Sequence, residues 1–152
     1  MKKPKKKRVS VSSVKKQVWQ IFSKYIRLRD CFSSTGSPEY GECFTCSASL
    51  PVSQLQAGHF VPKHSGNYFS ERGVHAQCRT CNLYGRDGQA AGMPLEYRRQ
   101  IIKLYGEGAD TELENEARET KKFTIPELEE MIVDYKNRIG ELTQKNRISY
   151  KI

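Results

Sequence analysis

Long apolar segments and acidic side chains are both scarce in this sequence. No stretch approaches the roughly 20 apolar residues that a helix needs to cross a bilayer. No apolar run follows the charged N-terminus, so we expect no secretory signal. Only 37% of the 152 residues are hydrophobic and the mean hydropathy is −0.71. These values predict one domain with a modest core, to whose folding a bound metal would contribute substantially.

The shortage of acidic residues leaves the chain strongly basic. It has 26 Lys and Arg against 17 Asp and Glu, a formal net charge of +9. Such an excess favours polyanionic partners, with nucleic acid first, an acidic membrane surface second and an acidic protein third. A basic protein without any such partner is the alternative that charge alone leaves open. Since no segment at the N-terminus joins a basic face to a wide apolar one, we expect DNA and no membrane.

The first residues form a dense run of positive charge. We predict a disordered basic tail over residues 1–11, because like charges repel and Pro4 blocks a helix. This tail either binds phosphates or acts as a targeting signal, since it also looks like a nuclear localisation signal. A single domain is predicted over residues 12–146.

The first helix of that domain is predicted from Ser12 or Ser13 to about Asp30, on apolar residues at helical spacing. Its basic rim is either an ordinary solvated face or a contact surface for a DNA backbone. The predicted DNA-binding residues of the tail and this helix are Lys5, Lys6, Lys7, Arg8, Lys15, Lys16, Lys24 and Arg27.

Four of the five cysteines form two C-x-x-C pairs, and Cys31 is left over without an assigned role. Thiolates spaced in this way reach one cation from a single turn, and a second pair completes a tetrahedral shell. The pattern predicts a structural Zn²⁺ site. Two disulfides are the alternative, although no secretory signal points to an oxidising compartment. The predicted zinc ligands are Cys43, Cys46, Cys78 and Cys81.

The segment between the cysteine pairs is longer than a simple zinc ribbon needs, and it carries histidine. We expect a short hairpin over residues 43–60 and a helix that begins near Cys78 and carries Asn82. Phosphodiester cleavage needs a water deprotonated beside the phosphorus, for which histidine is a suitable base. It also needs a cation, and a largely hydrated divalent ion suits that task. The sequence thus predicts an open catalytic position near His59 and Asn82, separate from the zinc site.

C-terminal helices are predicted over residues 93–146, after a core at 43–86. Pro94 suits a first helical turn, and Thr124 with Glu127 forms a capping box for the last helix. The apolar stripe of that last helix is either core or a coiled-coil seam, and in the second case it is a candidate homodimer interface.

The central motifs resemble those of the HNH, or ββα-metal (His-Me finger), nucleases. They are C-x-x-C from Cys43, Ala-Gly-His ending at His59, and Val-His-Ala-Gln-C-x-x-C-Asn ending at Asn82. More narrowly, the chain is similar to the phage lambda NinG (Rap) recombination endonuclease family. This likeness spans roughly residues 18–142 and includes the segments 25–30, 96–98 and 121–128.

The resemblance implies an α+β fold, in which a small zinc-stapled ββα core is flanked by N- and C-terminal helices. It further implies a structure-selective endonuclease that acts on branched DNA (D-loops, flaps or four-way junctions) in the host bacterial cytoplasm. By this resemblance His59 is the general base, and Asn82 is a ligand of a catalytic Mg²⁺ or Mn²⁺. A non-catalytic zinc-stabilised DNA-binding module is the rival hypothesis.

Two positions depart from the resemblance. Gly58 stands where many HNH enzymes have an acidic metal ligand, and Gly73 stands where an asparagine often orients the base. We expect Glu71 to supply the missing carboxylate, with His75 and His64 as further candidates. Alternatives are open for each residue: His59 as a zinc ligand or packed side chain, Asn82 as a cap, and Glu71 as a solvated loop residue.

Overall fold

The computed structural model describes the backbone of residues 8–149 and the side chains of residues 8–144. The long helices α1 (Val11–Thr35) and α5 (Ile125–Ser149) pack against each other at one side of the molecule. None of the described helices is long and apolar enough to cross a membrane. The predicted phosphate contacts Lys5, Lys6 and Lys7 lie outside the described residues.

Helix α1 begins earlier and ends later than the sequence predicted. Ser10 caps it, and its hydroxyl oxygen accepts a hydrogen bond from the Ser13 amide at 3.2 Å. The helix runs past Asp30, and the hydroxyl groups of Ser34 and Thr35 donate back to the carbonyls of Asp30 and Cys31 in its last turns. Gly36 stops it by adopting the left-handed conformation, with φ of 73°.

Two small antiparallel sheets follow within the described chain. Strands β1 (Tyr40–Glu42) and β2 (Ser49–Pro51) pair around the first cysteine turn. Strands β3 (Leu55–His59) and β4 (Val74–Cys78) pair across a long loop, with Gly58 opposite His75. The predicted hairpin over 43–60 is therefore wrong, because its two halves belong to different sheets. A short 3-10 turn at Val52–Gln54 separates those halves.

Three shorter helices lie between β4 and α5 in the described chain: α2 (Arg79–Leu83), α3 (Pro94–Tyr105) and α4 (Ala109–Arg118). The order β3–β4–α2 confirms the predicted ββα core, and the whole is the predicted α+β fold with flanking helices. The capping box is also confirmed, since Glu127 accepts from the Thr124 amide at 2.9 Å.

The main core lies between α1, α5 and the β3–β4 sheet. Phe22 and Tyr25 of α1 pack on Tyr135 of α5 and on Val74 of β4. The apolar stripe of α5 is thus core within one chain, as one of the two readings predicted. The stripe consists of Leu128, Met131, Ile132, Tyr135, Ile139 and Leu142.

Candidate active site and metal centre

Local structure brings the two cysteine pairs together. Cys43 and Cys46 lie in the turn between β1 and β2, which the Ser47 amide closes onto the Cys43 carbonyl at 2.9 Å. Cys78 ends β4 and caps α2, and Cys81 follows on the first turn of that helix. All five cysteines of the chain lie among the described residues and are free thiols, so the disulfide alternative is wrong.

The sulfur positions fit a tetrahedral zinc ion. The four Sγ atoms lie within 4.8 Å of one another, and those of Cys46 and Cys78 are 3.8 Å apart. Zinc–sulfur bonds of about 2.3 Å in a tetrahedron require sulfur separations of about 3.8 Å. Among the described residues, this cluster is the group of Cys, His, Asp or Glu side chains whose ligand atoms lie close enough together to hold a metal ion. The cluster is therefore consistent with the predicted structural Zn²⁺.

One thiol of the cluster, that of Cys78, has a lowered pKa. Burial disfavours its thiolate, but hydrogen bonds from the Cys81 amide and the Arg86 guanidinium lower the pKa of Cys78 to about 7. Burial raises the pKa of Cys46 to about 12. Zinc binding must therefore displace protons from this cluster, which makes metal affinity dependent on pH.

His59 ends β3 with its imidazole held in one tautomer. Its Nε2 lies 3.1 Å from the Tyr68 carbonyl oxygen, which can only accept a hydrogen bond. Nε2 must then carry the proton, which leaves Nδ1 as the basic nitrogen. The Trp19 ring stacks on the imidazole, with centroids 5.3 Å apart and an interplanar angle of 15°.

The surroundings of His59 keep it neutral near pH 7. Burial lowers the pKa of the His59 imidazole, and the nearby Lys63 ammonium lowers it further, while the hydrogen bond to the Tyr68 carbonyl opposes both. A histidine with a lowered pKa is unprotonated at neutral pH, which is the state that can accept a proton.

A groove of about 790 Å³ opens beside His59. Asn82 of α2 lines the same groove, so the structure brings the two predicted residues to one place. The cationic side chains Arg27 and Lys63 also line it. No Asp or Glu is among the described residues that line the groove. Only neutral side-chain oxygens are therefore available there to a divalent cation.

Asn82 is oriented by a second groove residue. Its Nδ2 donates to Gln56 Oε1 at 2.9 Å, so its Oδ1 faces the opposite way, towards Gly58. A Cβ at residue 58 would lie 2.8 Å from Asn82 Oδ1 and 2.0 Å from Gln77 Oε1. A side chain at residue 58 would thus require both amide groups to move.

The structure does not bring Glu71 and His75 to this groove. Glu71 pairs instead with Arg138 of α5 and accepts from the Tyr135 hydroxyl at 3.0 Å. Although burial opposes it, this pairing lowers the pKa of the Glu71 carboxyl. These contacts favour a structural role, in which Glu71 ties the loop after β3 to the last helix.

His75 is 3% exposed and is held from both sides. Its Nδ1 lies 3.0 Å from Asp30 Oδ2, and its Nε2 lies 3.0 Å from the Tyr105 hydroxyl. Burial lowers the pKa of the imidazole, against the effect of the Asp30 carboxylate. His64 is exposed and does not line the groove. Neither histidine is placed to complete a cation shell with Asn82.

The predicted DNA-binding residues of α1 are divided between groove and surface. Arg27 lines the groove, and the Lys15 ammonium lies 4.1 Å from the Tyr68 ring centroid, beside His59. Lys16 and Lys24 are exposed on α1, and Arg8 is exposed before it. Helix α1 and the residue before it thus carry a basic surface, of which Arg27 lines the groove.

Sequence reasoning missed Asn67, which organises the loop beside His59. Asn67 is 4% exposed, and its Oδ1 accepts from the His64 amide at 2.6 Å. Its Nδ2 donates to the carbonyls of Val61 and Pro62 at 3.0 and 3.3 Å. These bonds fix the loop next to Tyr68, whose carbonyl orients the imidazole. An asparagine in a loop rich in glycine and polar residues was the available signal.

A family model described as Bacteriophage Lambda NinG protein matches residues 1–145. The chain belongs to the lambda NinG family. The match takes in both cysteine pairs, the groove and most of α5, so the NinG-family assignment applies to nearly all of the chain. A search of curated proteins and a search of solved structures each returned no match.

Proposed function

We propose that this NinG-family chain is a structure-selective DNA endonuclease of the HNH type that hydrolyses phosphodiester bonds in branched DNA. The observation that carries the proposal is the imidazole of His59. Its Nε2 donates a hydrogen bond to the Tyr68 carbonyl, and burial lowers its pKa. The imidazole lines a groove that Asn82 and the cationic side chains of Arg27 and Lys63 also line.

The residues of the groove divide the work of hydrolysis. Neutral His59 accepts a proton from the attacking water through Nδ1. Arg27 and Lys63 hold the negatively charged backbone by charge. A divalent cation, Mg²⁺ or Mn²⁺, would be held by Asn82 and would supply positive charge beside the scissile phosphate. The four cysteines with their zinc fix β4 and α2, and with them Asn82.

We infer selectivity for branched DNA from the kind of contact that the basic side chains can make with DNA. Lysine and arginine side chains on one helix contact phosphates, which carry no sequence information directly. The net charge of +9 supports such binding. We propose that a D-loop, flap or four-way junction is recognised by its shape.

A non-catalytic zinc-stabilised DNA-binding module is the second candidate. The cysteine cluster and the basic surface support it equally well. It gives no reason, however, for a neutral histidine to be held in one tautomer beside Asn82 in an open groove.

The deciding experiment compares His59→Ala with His64→Ala, an exposed histidine outside the groove. Flaps, forks, D-loops and four-way junctions are incubated with each zinc-loaded protein in Mg²⁺ or Mn²⁺. We expect His59→Ala to lose at least about 100-fold in cleavage rate, with zinc content and helicity retained, and His64→Ala to cleave like the wild type. Unchanged cleavage by His59→Ala would remove it as the base, and no cleavage by the wild type would favour the binding module.

A further inference from the structure

A buried amide oxygen lies unpaired next to the groove. Gln77 of β4 has 0% exposure. Its Nε2 donates to Thr45 Oγ1 at 3.1 Å and to the Gly92 carbonyl at 3.0 Å. Because a carbonyl can only accept, the amide cannot be turned round, and Oε1 must point the other way. Among the described residues, Gln77 Oε1 has no hydrogen-bond partner. A buried acceptor of this kind calls for a ligand or another explanation.

Gln77 Oε1 points at the position that a side chain of residue 58 would occupy. It lies 2.0 Å from the place of a Cβ there, and Asn82 Oδ1 lies 2.8 Å from the same place. The Asn82 amide nitrogen does not donate to Gln77 Oε1 either, since Asn82 Nδ2 donates to Gln56 Oε1. Two amide oxygens therefore converge above Gly58 from different elements, one from β4 and one from α2.

We propose that Gln77 Oε1 and Asn82 Oδ1 are the two protein ligands of a hard divalent cation, Mg²⁺ or Mn²⁺. The inference rests on the proposed function and deepens it, because it names a second protein ligand beside Asn82 Oδ1. Amide oxygens are suitable ligands for such ions. Gln77 supplies from β4 an oxygen at the place where an acidic side chain at residue 58 would have supplied one from β3.

Two neutral ligands have a consequence for affinity. The affinity of an oxygen site rises with the number of charged ligands, so this site binds Mg²⁺ weakly without DNA. A phosphate oxygen of the substrate then adds the first negative charge to the shell. The site is thus filled most tightly when a DNA strand lies in the groove.

The first test uses Tb³⁺, a hard cation, on the zinc-loaded full chain without DNA. Trp19 is the single tryptophan of the chain and lines the groove, so its excitation sensitises Tb³⁺ bound there and not at distant acidic groups. Gln77→Glu replaces a neutral oxygen by a carboxylate of the same length. We expect it to tighten Tb³⁺ binding at least about tenfold, with Mg²⁺ competing for the site.

Ala91→Glu is the matched control, because exposed Ala91 lines the same groove and the variant adds the same charge there without replacing a partner of Asn82. We expect it to change Tb³⁺ affinity less than about threefold. Equal tightening by both variants would overturn the proposal, since charge and not position would then be responsible. No tightening by folded Gln77→Glu would overturn it as well.

A second measurement needs no variant. In the wild type, the side-chain amide NMR signals of Gln77 and Asn82 should broaden with substoichiometric Mn²⁺, whereas that of Gln100 on α3 should not. Broadening that spares Gln77 would overturn the proposal even if Gln77→Glu failed to fold.

The two proposals fail in different ways. If the chain cleaves branched DNA but Mn²⁺ does not broaden the Gln77 signal, the endonuclease proposal stands and Gln77 is not a ligand. A Gln77-dependent cation site in a chain that cuts no DNA would keep the ligand and remove the endonuclease.

Discussion

Substituting Asn67 by alanine is the sharpest test of how the imidazole is positioned. The change removes three hydrogen bonds, one from the His64 amide and two to the Val61 and Pro62 carbonyls. At about 0.5–1.5 kcal/mol for each of the three bonds, the loss amounts to about 1.5–4.5 kcal/mol. That is a large share of the roughly 5–15 kcal/mol by which native domains are stable. The burial of Asn67 prevents water from replacing the lost partners.

The assay is equilibrium unfolding of the zinc-loaded protein in urea, read by helicity. Asn137→Ala is the matched control, since Asn137 is exposed on α5, and it should stay within about 0.5 kcal/mol of the wild type. Cleavage by folded Asn67→Ala should fall about tenfold or more, because the Tyr68 carbonyl no longer fixes the imidazole. A stability within about 0.5 kcal/mol of the wild type would refute the reasoning that Asn67 clamps the loop.

Two further predictions concern the metal centre and the base. Cys78→Ser should lose zinc and unfold, because zinc binding and folding are coupled in such sites; a variant with native helicity and an unchanged Tm, measured beside its zinc content, would contradict the structural role. The pKa of His59 lies below its ordinary value of 6.5, and the neutral form is the base. Single-turnover cleavage should therefore fall to half of its plateau rate only below pH 6.5; a half-maximal rate above that pH would argue against His59 as the base.

Local patterns predicted a large part of this fold. The helical periodicity of α1 and α5, the capping box at Thr124 and the proline at the start of α3 all involve residues a few positions apart. Interactions of that range are present in the sequence itself. The one serious error in the elements concerned strand pairing: the run ending at His59 pairs with Val74–Cys78, and alternation along a strand does not name its partner.

In the candidate site too, short-range features could be predicted from the sequence and long-range contacts could not. The spacing within each cysteine pair restricts two thiolates to one turn, so a four-sulfur cluster followed from the sequence. The loop residues were different, because polar side chains in a loop have several partners within reach. Glu71 was expected in the groove but pairs with Arg138 of α5, while Asn67 went unnoticed although it holds the loop beside the base.

The sequence by itself determined the spacing within each cysteine pair and the amphipathic helices, since both depend on neighbours along the chain. The ββα order was implied by the family resemblance and not by local patterns. Only the tertiary structure decided which oxygens lie beside Gly58. Gln77 and Gly58 meet because β3 and β4 pair in one register, and Asn82 joins them because α2 packs against that sheet. Contacts between residues far apart in the chain depend on how the elements pack, and no local pattern records that packing.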